Sequence, residues 1–138
     1  MVETEFAIKP IGIIRSELAT REEAPKQGSE GGPDAWFEVY PPFAEGLEGI
    51  GVGDDVILIT WFHKAHRDRL KLHPRRDKSR PLMGVFSTRS PDRPNPLGLH
   101  RVTVRDISGT RLRVGPIEAI DGTPVVDIKP VRPQSADS

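Results

Sequence analysis

The sequence predicts an all-β fold, a small antiparallel β-barrel with long irregular loops, and three observations predict it. Short apolar runs alternate with polar residues, which is the period-two signature of half-buried strands. Turns rich in Gly and Pro separate these runs; the chain holds 13 Gly and 14 Pro. Hardly any stretch carries the 3.6-residue periodicity of an amphipathic helix. A closed barrel also removes exposed sheet edges. With 138 residues the chain fits one domain, residues 1–138, whose polar tail is expected to fray from about residue 134.

The elements follow in order. Phe6 to Ile14 reads as a strand, and Pro10 marks an edge or a bulge. Residues 16–34 are polar and rich in Gly, Glu and Pro, a long loop of the kind that usually carries function or disorder. Ala35 to Tyr40 alternates and reads as a strand. Pro42 to Glu48 makes one helical turn before a Gly-rich stretch. Asp55 to Phe62 is a strong buried strand. Residues 63–81 are basic and irregular, and Leu82 to Phe86 is a short strand. Leu99 to Ile107 alternates Leu, Val, Val and Ile with His, Thr and Arg. Arg111 to Val114 and Pro116 to Ile120 are shorter strands. Asp121-Gly-Thr-Pro124 is a turn, and Val125 to Lys129 closes the fold.

Composition excludes several classes. Hydrophobic residues make up 36% and charged residues 29%, as in soluble globular proteins. The longest apolar run, residues 56–62, is too short to cross a bilayer. The N-terminus lacks the basic-then-apolar pattern of a secretory leader, and there is no Cys, so a cytoplasmic location is expected. The net charge of zero conceals an asymmetry. Residues 1–62 hold four Lys/Arg against twelve Asp/Glu, a net of −8, and residues 63–138 hold sixteen against eight, a net of +8. Either the fold separates these halves and creates an anion-attracting face, or it interleaves them.

The segment from Gly84 to Gly98 carries the most chemistry. Pro91, Pro94 and Pro96 fix φ and push the residues before them toward extended geometry. The result is a stiff, irregular loop bearing Arg89, Arg93, Ser90, Asp92 and Asn95. A rigid loop with converging polar groups holds a ligand at low entropic cost. Three more segments accompany it: Ala24-Pro-Lys-Gln-Gly28, Phe62-His63-Lys64 at the end of the buried strand, and Asp121 to Lys129. Each read alone is also an ordinary turn or strand exit. No Gly-x-Gly-x-x-Gly, P-loop, His-Glu-x-x-His or Gly-x-Ser-x-Gly motif is present, and no metal site is expected. The run from Arg67 to Arg80 holds seven Lys/Arg and two Asp, and could contact phosphates.

Together these segments resemble the TsaA-like (TrmO-type) family of S-adenosylmethionine-dependent tRNA methyltransferases. The resemblance rests on residues 10–16, 24–27, 46–49, 62–63, 84–98 and 121–130, in the family's order. It implies a small β-barrel that binds S-adenosyl-L-methionine as cofactor, a homodimer, and N6-methylation of threonylcarbamoyladenosine at position 37 of tRNA. Carried over by motif, the cofactor contacts are Pro25, Lys26, Gln27, His63, Lys64, Arg89, Leu99, Asp121, Gly122, Thr123 and Pro124. The chain departs from the family with Lys26 in place of an Arg and Val131 in place of a Tyr. It also stops at Ser138, where many bacterial relatives carry a second domain.

A urea-like N6 acceptor is a poor nucleophile that must lose its proton during attack. Asp121, Asp127 and His63 are the candidate bases. Arg89 suits a carboxylate, while Arg93 and Asn95 have no assigned role beyond the option of locking the loop's own shape. Two rival readings keep fewer of these implications: a methyltransferase of a small-molecule acceptor, and a non-enzymatic module that binds S-adenosylmethionine or RNA.

Overall fold

Six antiparallel strands close into a barrel in the order β1-β2-β7-β6-β3-β8. They are β1 (Gly12–Arg15), β2 (Ala35–Val39), β3 (Asp55–Trp61), β6 (Leu97–Ser108), β7 (Arg111–Gly115) and β8 (Pro124–Pro130). Two short strands, β4 (Lys71–Leu72) and β5 (Met83–Gly84), pair with each other as a separate arm. The structure is a computed structural model and describes residues 4–21, 24 and 32–132. The expected fraying tail lies outside these residues.

Alternation builds the core. Ile14, Phe37, Leu58, Val102, Val104, Leu112, Val114 and Val125 point inward and are almost wholly buried. Each such side chain stabilises the fold by about 1.5–3 kcal/mol relative to leaving it in water. Outward positions carry charges that pair across strands: Glu38 meets Arg15 and Arg111, and Asp34 meets Arg105 and Arg113.

Register fixes which loops meet. β6 runs antiparallel to β3 from Asp55↔Thr103 to Trp61↔Leu97, and β8 pairs with β3 from Val56↔Pro130 to Thr60↔Val125. The end of β1, the end of β3, the start of β6 and the start of β8 therefore share one end of the barrel, the loop end. At the opposite, far end a 3-10 helix, Pro41–Leu47, packs Phe43 and Leu47 against the core. The barrel closes sparingly at one seam, where β1 meets β8 only at Gly12↔Val125 and Ile13↔Pro124.

Four elements differ from expectation. Phe6 to Ile11 is not a strand, for Phe6 and Ile8 are exposed and find no partner strand; β1 begins at Gly12. Pro116 to Ile120 is not a strand either. It follows a cis Gly115–Pro116 bond and buries Ile117, Ala119 and Ile120 in an irregular path. The short strand expected over Leu82 to Phe86 shrinks to Met83–Gly84, followed by a 3-10 turn over Val85–Ser87. Its partner β4 lies within the run read as irregular.

Candidate active site

Three of the four motif segments lie at the loop end. Hydrogen bonds and ion pairs join two of them directly, and the third, the Asp121 turn, is bonded to residues 14–18. Phe62 donates its backbone N–H to Pro96 O at 2.8 Å, which ties the exit of β3 to the proline loop. Asp92 is the hub. Its Oδ1 accepts the His66 backbone N–H at 2.9 Å, and Arg21 forks onto both of its oxygens at 3.1 Å. Arg21 also donates to Lys64 O at 3.5 Å. This fork fastens the N-terminal loop, the β3 exit and the proline loop to one another. Partial burial works to raise the Asp92 carboxyl. Hydrogen bonds from Arg21 and the His66 amide, with the Arg21 charge, overcome it and hold the group below its ordinary range.

The turn at Asp121 joins the same end. The Asp121 N–H donates to Leu18 O at 2.6 Å, while Asp121 Oδ1 accepts the Ser16 N–H at 3.1 Å. Gly122 has φ of +85°, a left-handed conformation that suits glycine, and donates to Ile14 O at 2.8 Å. A side chain at Gly122 would meet open space, so a ligand can approach this backbone closely. Thr123 is buried and donates its hydroxyl to Ile120 O at 2.7 Å; Pro124 begins β8 opposite Ile13.

Inside the proline loop the polar side chains divide by task. Arg93 Nη1 donates to Thr88 O at 2.9 Å and Ser90 O at 3.0 Å. Arg67 donates to Pro94 O at 2.7 Å and to Asn95 Oδ1 at 3.4 Å, with its guanidinium 5.0 Å from the Trp61 ring centroid. Arg93 thus locks the loop's own shape, and Asn95 helps tie the loop to Arg67. Arg89 is exposed and has no hydrogen bond or ion pair among the described residues, so its charge is available to an anion.

The remaining predicted residues fall in different places. His63 and Lys64 stand exposed at the β3 exit. Partial desolvation, then repulsion from Lys64, lowers the His63 imidazole below its ordinary value. Leu99 is exposed on the outer wall of β6. Asp127 sits apart, along β8 opposite Ile59, lining a groove against the 3-10 helix with Ile11, Phe43 and Leu47. Its Oδ1 accepts the Ile128 N–H, and among the described residues no hydrogen bond or ion pair joins its side chain to the β3 exit or the proline loop. Pro25, Lys26 and Gln27 lie outside the described residues.

A polar cluster that the sequence reading missed lies just beneath. His100 is buried inside the barrel, with Nε2 2.7 Å from Thr60 Oγ1 and Nδ1 2.6 Å from Glu118 Oε1. Phe62 packs edge-on to the imidazole, ring centroids 5.7 Å apart. Parity along β6 was the available signal. His100 shares the inward side with Val102 and Val104, whereas Leu99 faces out with Arg101.

Sequence comparison defines the class to which this fold and site belong. Residues 13–138 match the family model described as the tRNA-methyltransferase O N-terminal domain. The chain therefore belongs to the tRNA-methyltransferase O family. It is 38% identical over 130 residues to a probable S-adenosyl-L-methionine-binding protein of Methanothermobacter thermautotrophicus, covering 94% of this chain and 93% of that protein. A probable S-adenosyl-L-methionine-binding protein of Pyrococcus horikoshii is 43% identical over 128 residues, covering 90% of this chain and 81% of the relative. The crystal structure of TrmO from Pseudomonas aeruginosa superposes with a TM-score of 0.78 at 32% identity. That match covers 98% of this chain and 60% of that one, so the chain spans about three fifths of its solved relative.

Proposed function

We propose that this chain methylates N6 of threonylcarbamoyladenosine at position 37 of tRNA, as a homodimer with the basic 67–80 segment set against the RNA. As a member of its family it is an S-adenosylmethionine-dependent methyltransferase; the acceptor and the assembly are the proposed parts. One observation carries the reading. The β3 exit, the proline loop and the Asp121 turn converge at one barrel end, around a loop in which Arg93 is committed internally and Arg89 has no partner among the described residues.

The residues present suit the cofactor. Arg89 offers a bidentate partner for a carboxylate. The open backbone at Gly122 admits close approach, and the Asp121 carboxylate attracts an amino group. Leu99 supplies an apolar wall. Bound there, S-adenosylmethionine would supply a methyl group on a sulfonium, transferred by in-line displacement.

The chain's own tasks are alignment and proton removal. The Arg21–Asp92 fork holds two arms of the site in fixed relation. His63, its imidazole lowered below the ordinary value by partial desolvation and then by Lys64, can accept the acceptor's proton. For the homodimer, the outer faces of β3 and β6 offer Ile57, Ile59, Trp61, Leu97 and Leu99, with Arg101 opposite Ile57 at their edge.

Incubation with labelled S-adenosylmethionine and tRNA lacking the modification, followed by nucleoside mass spectrometry, tests the proposal. Methylated threonylcarbamoyladenosine is the expected product. Turnover on metabolite extracts without methylated tRNA points to a small-molecule acceptor. Tight cofactor binding without S-adenosylhomocysteine formation points to a binding module.

A further inference from the structure

Phe86 is the most exposed large aromatic ring at the loop end, at 76%. It is also rigidly held. The neighbouring Val85 is buried and donates its N–H to Leu70 O at 2.9 Å, and the Thr88 N–H and hydroxyl both return to Val85 O. Phe86 thus sits on a pinned 3-10 turn directly after β5, beside the basic arm. One face of the ring is met by the Arg93 guanidinium, 6.0 Å from the centroid, and two backbone carbonyls fix that guanidinium. The rest of the ring is open to solvent.

From this geometry we propose that Phe86 is a stacking platform for an unpaired nucleobase of the RNA substrate, with the cations of the adjoining arm taking the flanking phosphates. The inference rests on the tRNA reading above and names the contact that presents the base. Covering an exposed ring with a flat apolar partner gains buried area and stacking contact. Unpaired bases are flat, and proteins read them by stacking on aromatic rings and guanidinium planes. The surroundings select among partners. Residues 63–96 hold ten Lys/Arg against three Asp/Glu. Two copies meeting through this patch would set like charges face to face, and a nucleoside cofactor brings no phosphates to neutralise them. RNA brings both the ring and the phosphates.

The test compares the wild type with Phe86→Ala and Phe86→Tyr. The readouts are KM for unmodified tRNA, cofactor affinity by thermal shift, sedimentation, and quenching of a short single-stranded RNA carrying 2-aminopurine. The expected result is a rise of roughly five-fold or more in the tRNA KM for Phe86→Ala. Loss of 2-aminopurine quenching accompanies it, Phe86→Tyr restores both, and cofactor affinity and sedimentation stay unchanged. An unchanged tRNA KM in Phe86→Ala overturns the proposal. So does a parallel loss of cofactor affinity, which puts the ring in the cofactor pocket, or a change in sedimentation, which puts it in a subunit interface. Ring-dependent quenching by a wild type that methylates no tRNA leaves the platform standing and removes the proposed acceptor.

Discussion

At the scale of single residues, Asp92 and Arg21 set the relation between segments far apart in sequence. Neither was legible as a pair, because 71 positions separate them and nothing local selects the partner. Asp92→Asn is expected to cost about 1.5–3 kcal/mol at neutral pH, the range for hydrogen bonds to a charged group. A carboxyl held low in the fold contributes stability above its unfolded pKa of about 3.9, and that contribution is lost as pH falls through the folded value. The gap in melting temperature between the wild type and Asp92→Asn therefore narrows below about pH 4, which a thermal melt series reads directly. Arg89 is different, since composition marks it and Arg93 alike as guanidinium groups of the loop, and the family motif is what singles it out. Arg89→Ala is expected to abolish the rise in melting temperature that S-adenosylmethionine gives the wild type. His63 carries a kinetic prediction. Where it is the base, the acid limb of the kcat/KM profile lies below 6.5, and His63→Gln lowers kcat by roughly a hundred-fold or more.

At the scale of elements, strands were legible wherever apolar residues alternate between turns, as in β2, β3 and β8. They were misplaced where alternation and burial part company. Residues 116–120 look like a strand because they are apolar, yet they fill the barrel mouth without a ladder. The pattern of β6 reads as a strand but does not by itself mark the inward side, so His100 reads with the polar residues of the outer face. β6 also begins at a constrained point. A Cβ on Gly98 would run into the Phe62 ring and come within 2.7 Å of Thr60 Oγ1. Gly98→Ala is expected to destabilise the fold by about 1–3 kcal/mol, as overpacking does. Because Phe62 precedes His63 and covers His100, the same substitution should weaken cofactor affinity. Calorimetry and a binding titration on one sample separate the two effects.

At the scale of the whole molecule, the charges of the two halves interleave along the wall. There Glu38 and Asp34 of the acidic half pair with Arg111, Arg105 and Arg113 of the basic half, while a local polarity remains between two connecting segments. The loop end carries the strongly basic segment 63–96. The far-end segment 41–54 holds three Asp/Glu and no Lys/Arg. Such a gradient orients an approaching polyanion before contact. Raising salt is therefore expected to increase the tRNA KM steeply and to change cofactor affinity little. The family motifs were readable because they are contiguous, whereas the polarity was not, because it depends on which strand ends share a side. The sparing seam between β1 and β8 has a consequence of its own. Its hydrogen bonds run through the Asp121 turn: Ile11 donates to Val125 O, Ile14 to Thr123 O, and Gly122 to Ile14 O. The groups proposed to grip the cofactor are thus also the staves at which the cylinder is most lightly hooped. A ligand seated on that turn tightens the hoop. Amide exchange at Ile11, Ile14 and Gly122 should slow on adding S-adenosylmethionine, more than exchange along the long β3–β6 ladder.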